Sequence, residues 1–442
     1  MDLASLHRDH VASLSAATSA ALEKNGFNAL VIHSGTALKR TQADDQYWPN
    51  RPTPHFQHWL PLAEPGCALL IEPGRKPRLH RPAGQSFWEA PAPPESDHFW
   101  PEFEVSAQMP ALPRGRIAFV GDDASAAPAG AEVNPPALLR DLDQLRVRKT
   151  PYEVECLAEA NRRAAKGHDE LRRLFVDADF SELQLHLAFL GSTRQDDAET
   201  PYKNIVALGK HAATLHHIAY EKRAQPAQSM LVDAGAGFCG YGSDVTRTWV
   251  KGGGAGAAAF AQLVAGVEAM QQRLCGTVRI GMPYEELHDE SHRQVAAILR
   301  DVGVSRLPAD ELVARGITRA FYPHGLGHSL GLQVHDVGCG LIPPRADNPF
   351  LRNTTIIGEG QVFTIEPGIY FIDALLAPLR SSPDIDWKLV DALAHFGGVR
   401  IEDDVFVQAR GIRNLTRESL PLGGGRVLVG GDESHRPVER GQ

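Results

Sequence analysis

Two aspartates eleven residues apart, Asp233 and Asp244, lie in the stretch MLVDAGAGFCGYGSDVTRTWV. Val, Leu, Thr and Trp on either side of a glycine-containing turn predict two antiparallel strands. A hairpin symmetric about Phe238 and Cys239 would set position 233 directly opposite position 244. Like charges facing each other across a strand pair are destabilising. Burying them among apolar neighbours is worse, unless something cationic holds both. A metal ion answers that need, and the chain offers further ligands.

The run YPHGLGHSLGLQVHDVG carries His324, His328 and His335. Its glycines at 325, 327 and 331 disfavour a helix and permit close backbone approach to a ligand. Alternation over 332–335 predicts a strand with Gln333 and His335 on one face. One such histidine would be an ordinary core or surface residue; three within twelve residues point to a site. Glu366 stands in the apolar run VFTIEPGIYFI, and Glu402 in GGVRIEDDVFV, two residues after Arg400. An isolated ionised carboxylate in such a setting calls for a cation or a proton. For Glu402 the plainer reading is an ion pair with Arg400 on a solvated strand.

Four carboxylates and an imidazole form a hard, oxygen-rich donor set, which favours Mn²⁺ or Mg²⁺ over a thiolate zinc site, with Co²⁺ and Zn²⁺ as further candidates. Four anionic ligands exceed what one divalent ion needs, and bridging carboxylates hold two ions about 3.5–4 Å apart. Such a centre generates hydroxide at neutral pH and polarises a carbonyl. Hydrolysis is the chemistry to expect.

The elements that must position these residues fall into two α/β regions. Residues 2–24 read as a helix ending at Asn25-Gly26, and NALVIHS, CALLIE and RIAFVG as strands. An Ala/Pro-rich loop follows near 124–136, then Thr150-Pro151-Tyr152-Glu153, a capping box with proline at the first helical position. A second capping box spans Ser181 to Gln184, helices are expected over 258–275 and from Pro283 to near Gly303, and strands over 229–250, 362–366 and 399–407. The expected domains are 1–150 and 151–420, with a Gly-rich flexible tail over 421–442.

Composition bounds the function class. A chain of 442 residues with net charge −9 is a poor general nucleic-acid binder. No stretch approaches the roughly 18 apolar residues of a membrane span. The start MDLASLHRDHVASL has neither the basic nor the apolar region of a secretory signal. Five scattered cysteines without a CxxC pair suit free thiols, so a cytoplasmic location is expected.

The order of Asp, Asp eleven later, the histidine of HGLGH, the glutamate of TIEPG and the glutamate of RIED resembles the pita-bread metallopeptidases, which include methionine aminopeptidase, aminopeptidase P and prolidase. The strings NIVALGKHAATLHH, PHGLGHSLGLQVHDVG, TIEPGIYFIDALLAP and FGGVRIEDD are most similar to the bacterial Xaa-Pro dipeptidase (prolidase) branch, and the likeness runs from the N-terminus to about residue 418. It implies a creatinase-like α/β domain followed by a pita-bread catalytic domain.

The resemblance further implies that Asp233, Asp244, His328, Glu366 and Glu402 bind two divalent ions, usually Mn²⁺, with Asp233 chelating one ion and Asp244 bridging both. His328 is the implied ligand because it lies seven residues before the second active-site histidine, His335. His216, His324 and His335 would line the substrate site, and Glu366 would double as proton shuttle. His217 stands where the family has Tyr, a departure that bears on substrate preference. Arg352 in FLRN matches an arginine that binds the carboxylate of a C-terminal proline; otherwise it is a solvated loop arginine. Asp45 in DDQYWP matches a residue reaching the substrate amino group from the neighbouring subunit of a homodimer; otherwise it is an ordinary loop carboxylate. Tyr202, Tyr284 and Arg400 would support the pocket. The implied activity is hydrolysis of dipeptides ending in proline, with organophosphate hydrolysis as a side activity. The rivals are aminopeptidase P action on longer peptides and a metal-free binding protein on the same scaffold.

Overall fold

The computed structural model describes residues 2–83, 94–338, 342–421 and 427–428. The chain divides into two compact units. The first comprises Met1–Glu159, Gly237–Gly242 and Gly331–Gly338; the second comprises Ala160–Ala236, Ser243–Leu330 and Cys339–Gln442. Among the described residues no helix is long and apolar enough to cross a membrane.

The first unit opens with helix α1 (Leu3–Asn25), capped by Asp2, whose carboxylate accepts from the Ala4 amide at 3.2 Å. It closes at Asn25-Gly26 as the sequence predicts, with the Gly26 amide on Glu23 O (3.1 Å) and the Phe27 amide on Leu22 O (2.9 Å). Strands β1 (Ala29–His33), β2 (Ala68–Ile71), β3 (Arg78–His80), β4 (Glu104–Ser106), β5 (Ile117–Val120) and β6 (Glu132–Val133) form a mixed sheet of order β4-β3-β2-β1-β5-β6. The central strands are apolar apart from the buried His33 at the end of β1, because both faces are covered. Leu30, Ile32, Leu69 and Ile71 face a core with Leu22 and Phe56, whereas Ala29, Val31, Leu70 and Phe119 pack on the opposite side.

Beside that core lies a group of buried imidazoles. His7 Nε2 donates to Trp59 O at 2.9 Å and His10 Nε2 to His58 O at 2.6 Å. Burial lowers the His7 pKa to about 3 and drives that of His58 well below its usual value. A histidine that is neutral when folded but charged when unfolded favours unfolding once the pH drops below about 6.5, by up to about 1.4 kcal/mol per pH unit until the folded pKa is reached. The chain should therefore lose stability as pH falls from 6.5 towards 3. His7→Gln keeps a donor for Trp59 and removes one titration, so its melting temperature should fall less over that range; an unchanged slope would count against the imidazole as the cause.

Helix α4 (Pro151–Asp177; α2 and α3, Pro54–Gln57 and Pro136–Val147, belong to the first unit) begins in the first unit and enters the second at Ala160. At its start the Thr150 amide donates to Glu153 Oε2 at 2.8 Å, one arm of the predicted capping box. Helix α5 (Glu182–Thr193) carries the second box complete, with Ser181 and Gln184 bonded reciprocally. Strands β7 (Ile205–Leu208), β8 (Ser229–Asp233) and β11 (Thr246–Lys251) share a sheet with β17 (Val427–Leu428), in the order β17-β11-β8-β7. Between β8 and β11 run the short strands β9 (Gly237–Phe238) and β10 (Tyr241–Gly242). Further along, β12 (Val362–Ile365), β15 (Asp403–Val407) and β16 (Ile412–Asn414) form one sheet, and β13 (Gly368–Tyr370) pairs with β14 (Gly398–Arg400). Helix α6 (Ala255–Thr277) buries Phe260, Leu263, Val264, Val267 and Leu274, the stripe visible in the sequence, in one core with α7 (Tyr284–Asp301), Phe363, Ile365 and Val405.

Three expectations need correcting. The aspartates do not face each other: Asp233 pairs with Thr246, and the same register gives Phe238 opposite Tyr241. The hairpin turns at Cys239-Gly240, both with positive φ (+50° and +87°), one residue later than the symmetric placement. Two consecutive residues of positive φ match the right-handed twist of the flanking strands, and glycine accepts that conformation freely. Asp244 therefore falls in the break between β10 and β11. Residues 332–335 form a bend instead of a strand, with Gln333 and His335 both exposed. The bend is fixed by Asp336, buried between Arg146 and Lys149 (2.9 Å to Lys149 Nζ), which turns the chain where alternation predicted extension. The strand expected over 399–407 is two strands broken at Ile401-Glu402. Of the residues over which a tail is expected, 421–442, Val427 and Leu428 pair in parallel with β11, and apart from them and Pro421 the segment lies outside the described residues, as does Cys339.

Candidate metal centre

Each carboxylate singled out in the sequence sits where a strand ends or breaks. Asp233 is the last residue of β8, Asp244 precedes β11, Glu366 follows β12, and Glu402 lies between β14 and β15. At these points side chains and bridging backbone take over from the ladder. The Glu402 amide donates to Thr246 O at 3.0 Å, and the Asp244 amide to Asp404 Oδ2 at 3.0 Å. His328 is held by a short antiparallel contact with β12: its amide donates to Thr364 Oγ1 (3.1 Å) and its carbonyl accepts from the Thr364 amide (2.9 Å). Gly327 makes that approach feasible, since a Cβ there would collide with Thr364 O and the Tyr284 hydroxyl. Tyr284 in turn donates to Thr364 O at 2.7 Å.

These elements converge their side chains. Asp244, His328 and Glu402 offer ligand atoms all within 4.8 Å of one another, every one of the three buried. His328 Nε2 lies 3.4 Å from Asp244 Oδ2 and 3.6 Å from Glu366 Oε1. Its Nδ1–H donates to Ser329 O at 3.1 Å, which leaves Nε2 to face the acids, the tautomer a ligating histidine needs. Asp233 accepts from the Tyr202 hydroxyl (2.7 Å) and Arg400 Nη2 (2.6 Å), and Glu402 from the Thr246 hydroxyl (2.6 Å).

Without a cation the charges oppose one another. Burial, then the neighbouring Asp244, Glu366 and Asp233, push the Glu402 carboxyl well above the usual range. Burial raises Glu366 to about 7 despite His328 and Arg400, and raises Asp233 against the pull of Arg400. Burial would lower His328, but Asp244 and Glu366 carry it up to about 9. Buried acids that can be relieved only by protons form a cation site by their chemistry, and an O-rich set with one imidazole fits divalent ions.

The other sequence candidates are placed as follows. His324 donates from Nδ1 to Gly325 O (2.8 Å), accepts at Nε2 from the Tyr370 hydroxyl (2.8 Å), and lies 3.8 Å from Glu366. Burial, then the Arg400 charge, lower its pKa to about 3, so it is neutral at pH 7. Arg400 spends its guanidinium inside the protein, on Asp233, Tyr370 OH (2.9 Å) and Thr246 Oγ1 (3.2 Å). His216 and Arg352 are exposed in the second unit. His335 and Asp45 belong to the first unit, where Asp45 accepts from Gln46 Nε2 at 3.1 Å. Residues not singled out beforehand also hold the site: Thr246, Thr364, Tyr370 and Asp404. A third acid on the Glu402 side of IEDD was the one available signal, since residues two apart share a strand face.

Residues 155–409 match the family described as Metallopeptidase family M24. The chain belongs to that family. Residues 5–144 match a second family, Xaa-Pro dipeptidase, N-terminal domain. Among similar proteins, the Xaa-Pro dipeptidase of Pseudoalteromonas atlantica is 40% identical over 441 residues, covering 94% of this chain and 98% of that protein. That of Pseudoalteromonas translucida is 41% identical, with the same coverage. Among solved structures, aminopeptidase P from E. coli with the inhibitor Pro-Leu superimposes with a TM-score of 0.70 at 22% identity, over 93% of this chain and 95% of that one. Proline aminopeptidase P II from Yersinia pestis gives 0.69 at 22% identity, over 93% and 96%. These structures speak to the fold, which is the two-domain metallopeptidase arrangement that the sequence resemblance implies.

Membership of M24 implies divalent metal ions, and the pH behaviour of the metal-free protein tests the candidate centre. Glu366 and His328 both have folded pKa values above their unfolded ones, so their stabilising contribution is present at low pH and lost as pH rises through about 7 and about 9. Chelated protein should lose melting temperature between pH 6.5 and 9, above the range in which the buried imidazoles of the first unit titrate, and saturating Mn²⁺ should flatten the profile. A flat profile in the chelated protein would show that these groups do not share one buried site.

Proposed function

We propose that this protein is an Mn²⁺-dependent Xaa-Pro dipeptidase, hydrolysing dipeptides with C-terminal proline. The observation that carries the reading is the buried convergence of Asp244, His328 and Glu402, with Asp233 and Glu366 beside them. Full-length likeness to proteins named Xaa-Pro dipeptidase supports the substrate class. Asp233, Asp244, His328, Glu366 and Glu402 would hold two divalent ions. Bound there, the metals supply a hydroxide nucleophile at neutral pH and polarise the scissile carbonyl.

The chain's own groups do the rest. Glu366 takes the nucleophile's proton and passes it to the leaving proline nitrogen, which must be protonated before it departs. His324, neutral and held by Tyr370, lines the substrate site together with His216. Arg352 clamps the proline carboxylate, and Asp45 from the partner of a homodimer takes the substrate ammonium. Proline is favoured because its nitrogen has no N–H to satisfy and its ring fills a pocket. A cytoplasmic location and organophosphate hydrolysis as a side activity complete the proposal.

A dipeptide panel on chelated and Mn²⁺-restored enzyme tests it. Xaa-Pro cleavage should dominate and depend on metal; equal cleavage of other dipeptides, or indifference to chelation, would sink it. Asp244→Ala should lose bound metal and turnover together, by at least about a thousandfold in kcat for a metal-activated nucleophile. Metal analysis of the parent protein separates the enzyme from a metal-free binding scaffold.

Arg352→Ala should raise KM for Ala-Pro by roughly tenfold or more, since a charge-assisted bond is worth about 1.5–3 kcal/mol, with a smaller effect on kcat. If the parent cleaves a tripeptide with proline second as well as Ala-Pro, the aminopeptidase P reading replaces this one.

A further inference from the structure

Glu182, the first residue of α5, is a fully buried carboxylate away from the metal centre. Its Oε1 accepts from the Leu208 amide (3.0 Å) and His211 Nδ1 (2.7 Å); its Oε2 accepts from the Glu221 amide (2.8 Å) and His217 Nε2 (2.7 Å). All four donors lie between residues 208 and 221. The Leu183 amide returns a bond to Glu221 O at 3.2 Å, and the His211 and His217 rings stack at 4.6 Å.

A carboxylate has about four acceptor directions, and here each is taken. A cation among Glu182, His211 and His217 would have to displace two of these bonds, so the cluster is an anchor, not a ligand cage. Burial would raise the Glu182 pKa, but the bonds from His217, the two amides and His211 hold it at about 2. It is ionised at any working pH, and its place in the first turn of α5 favours the charge.

What it anchors is the loop that carries His216. With His217 drawn inward onto Glu182, its neighbour His216 is left exposed. We infer that Glu182 is a positioning residue for His216, pinning both ends of the 208–221 loop so that the imidazole is presented to substrate in one conformation. The inference rests on the substrate role proposed for His216.

The test is a double-mutant cycle with Glu182→Gln and His216→Ala, read as kcat/KM on Ala-Pro together with bound metal. Gln replaces one acceptor oxygen by a donor and so loses two of the four bonds. Glu182→Gln should lower kcat/KM by about tenfold with its metal content unchanged, and the double variant should be no worse than His216→Ala alone. Glu182→Asp, which keeps the acceptors but shortens the reach, should recover part of the loss. Losses that multiply, or a Glu182→Gln enzyme as active as the parent beside an impaired His216→Ala, would overturn the inference. Full activity of His216→Ala would instead remove the role given to His216, and this inference with it. Should Glu182→Gln fail to fold, His217→Phe removes a single bond and carries the same cycle, with about a threefold effect expected.

Discussion

Arg400 and Asp233 meet at 2.6 Å inside a site that also holds Asp244, Glu366 and Glu402, and the charge this leaves over governs what surrounds it. One guanidinium offsets one of four carboxylates. Placing charges in the interior costs several kcal/mol each unless partners repay it. The raised pKa values of Asp233, Glu366 and Glu402 are that cost made visible. Protons can relieve it, and so can divalent ions, and only the second leaves a centre able to activate a nucleophile.

The backbone meets the same constraint through where its strands stop. A carboxylate inside a regular ladder alternates with its neighbours and is spaced by the register of its partner strand. A carboxylate at a strand end or break can turn towards a common point. Asp233, Asp244, Glu366 and Glu402 all occupy such positions, and the Thr246–Glu402 bridge ties the break before Asp403 to the start of β11. The donor set is therefore gathered by interruptions in the sheets, each closed by a specific bond: Asp244 N–H on Asp404, Glu402 N–H on Thr246 O, Glu366 N–H on Leu326 O at 2.8 Å.

This explains what the sequence could and could not reveal. The Asn25-Gly26 stop, the Ser181–Gln184 box and the α6 stripe were legible because each depends on residues within a few positions of one another. The cost of burying Asp233 and Asp244 was legible from their apolar neighbours in the sequence, although the pairing expected for them is not the one the strands adopt. Register depends on where the turn places its positive-φ residues, and Cys239 is a poor advertisement for one. The bend at 332–335 was hidden because its cause, Asp336 between Arg146 and Lys149, joins residues nearly two hundred positions apart. Thr246, Thr364 and Tyr370 were invisible for a related reason: a hydroxyl in a strand is unremarkable until its partner is known.

Those hydroxyls carry the last step of the argument. Tyr202 and Thr246 each hold an acid of the centre, and Tyr370 holds His324, yet none adds charge. Lysines in their places would fix the same carboxylates while neutralising them, and the site would lose its call for a cation. Arg400 is the exception, and its geometry shows why it is tolerated. Three donors point in three directions, to Thr246, Tyr370 and Asp233, so a single charge connects two of the hydroxyl supports with one acid. An ammonium, with its donors on one atom, could not span them. From Arg400 the polarity runs on through the Tyr370 hydroxyl to His324 Nε2, and from Nδ1 to Gly325 O. Asp233 of the candidate centre and the neutral imidazole of His324 are thus oriented by one continuous chain, in which the net negative charge stays with the carboxylates.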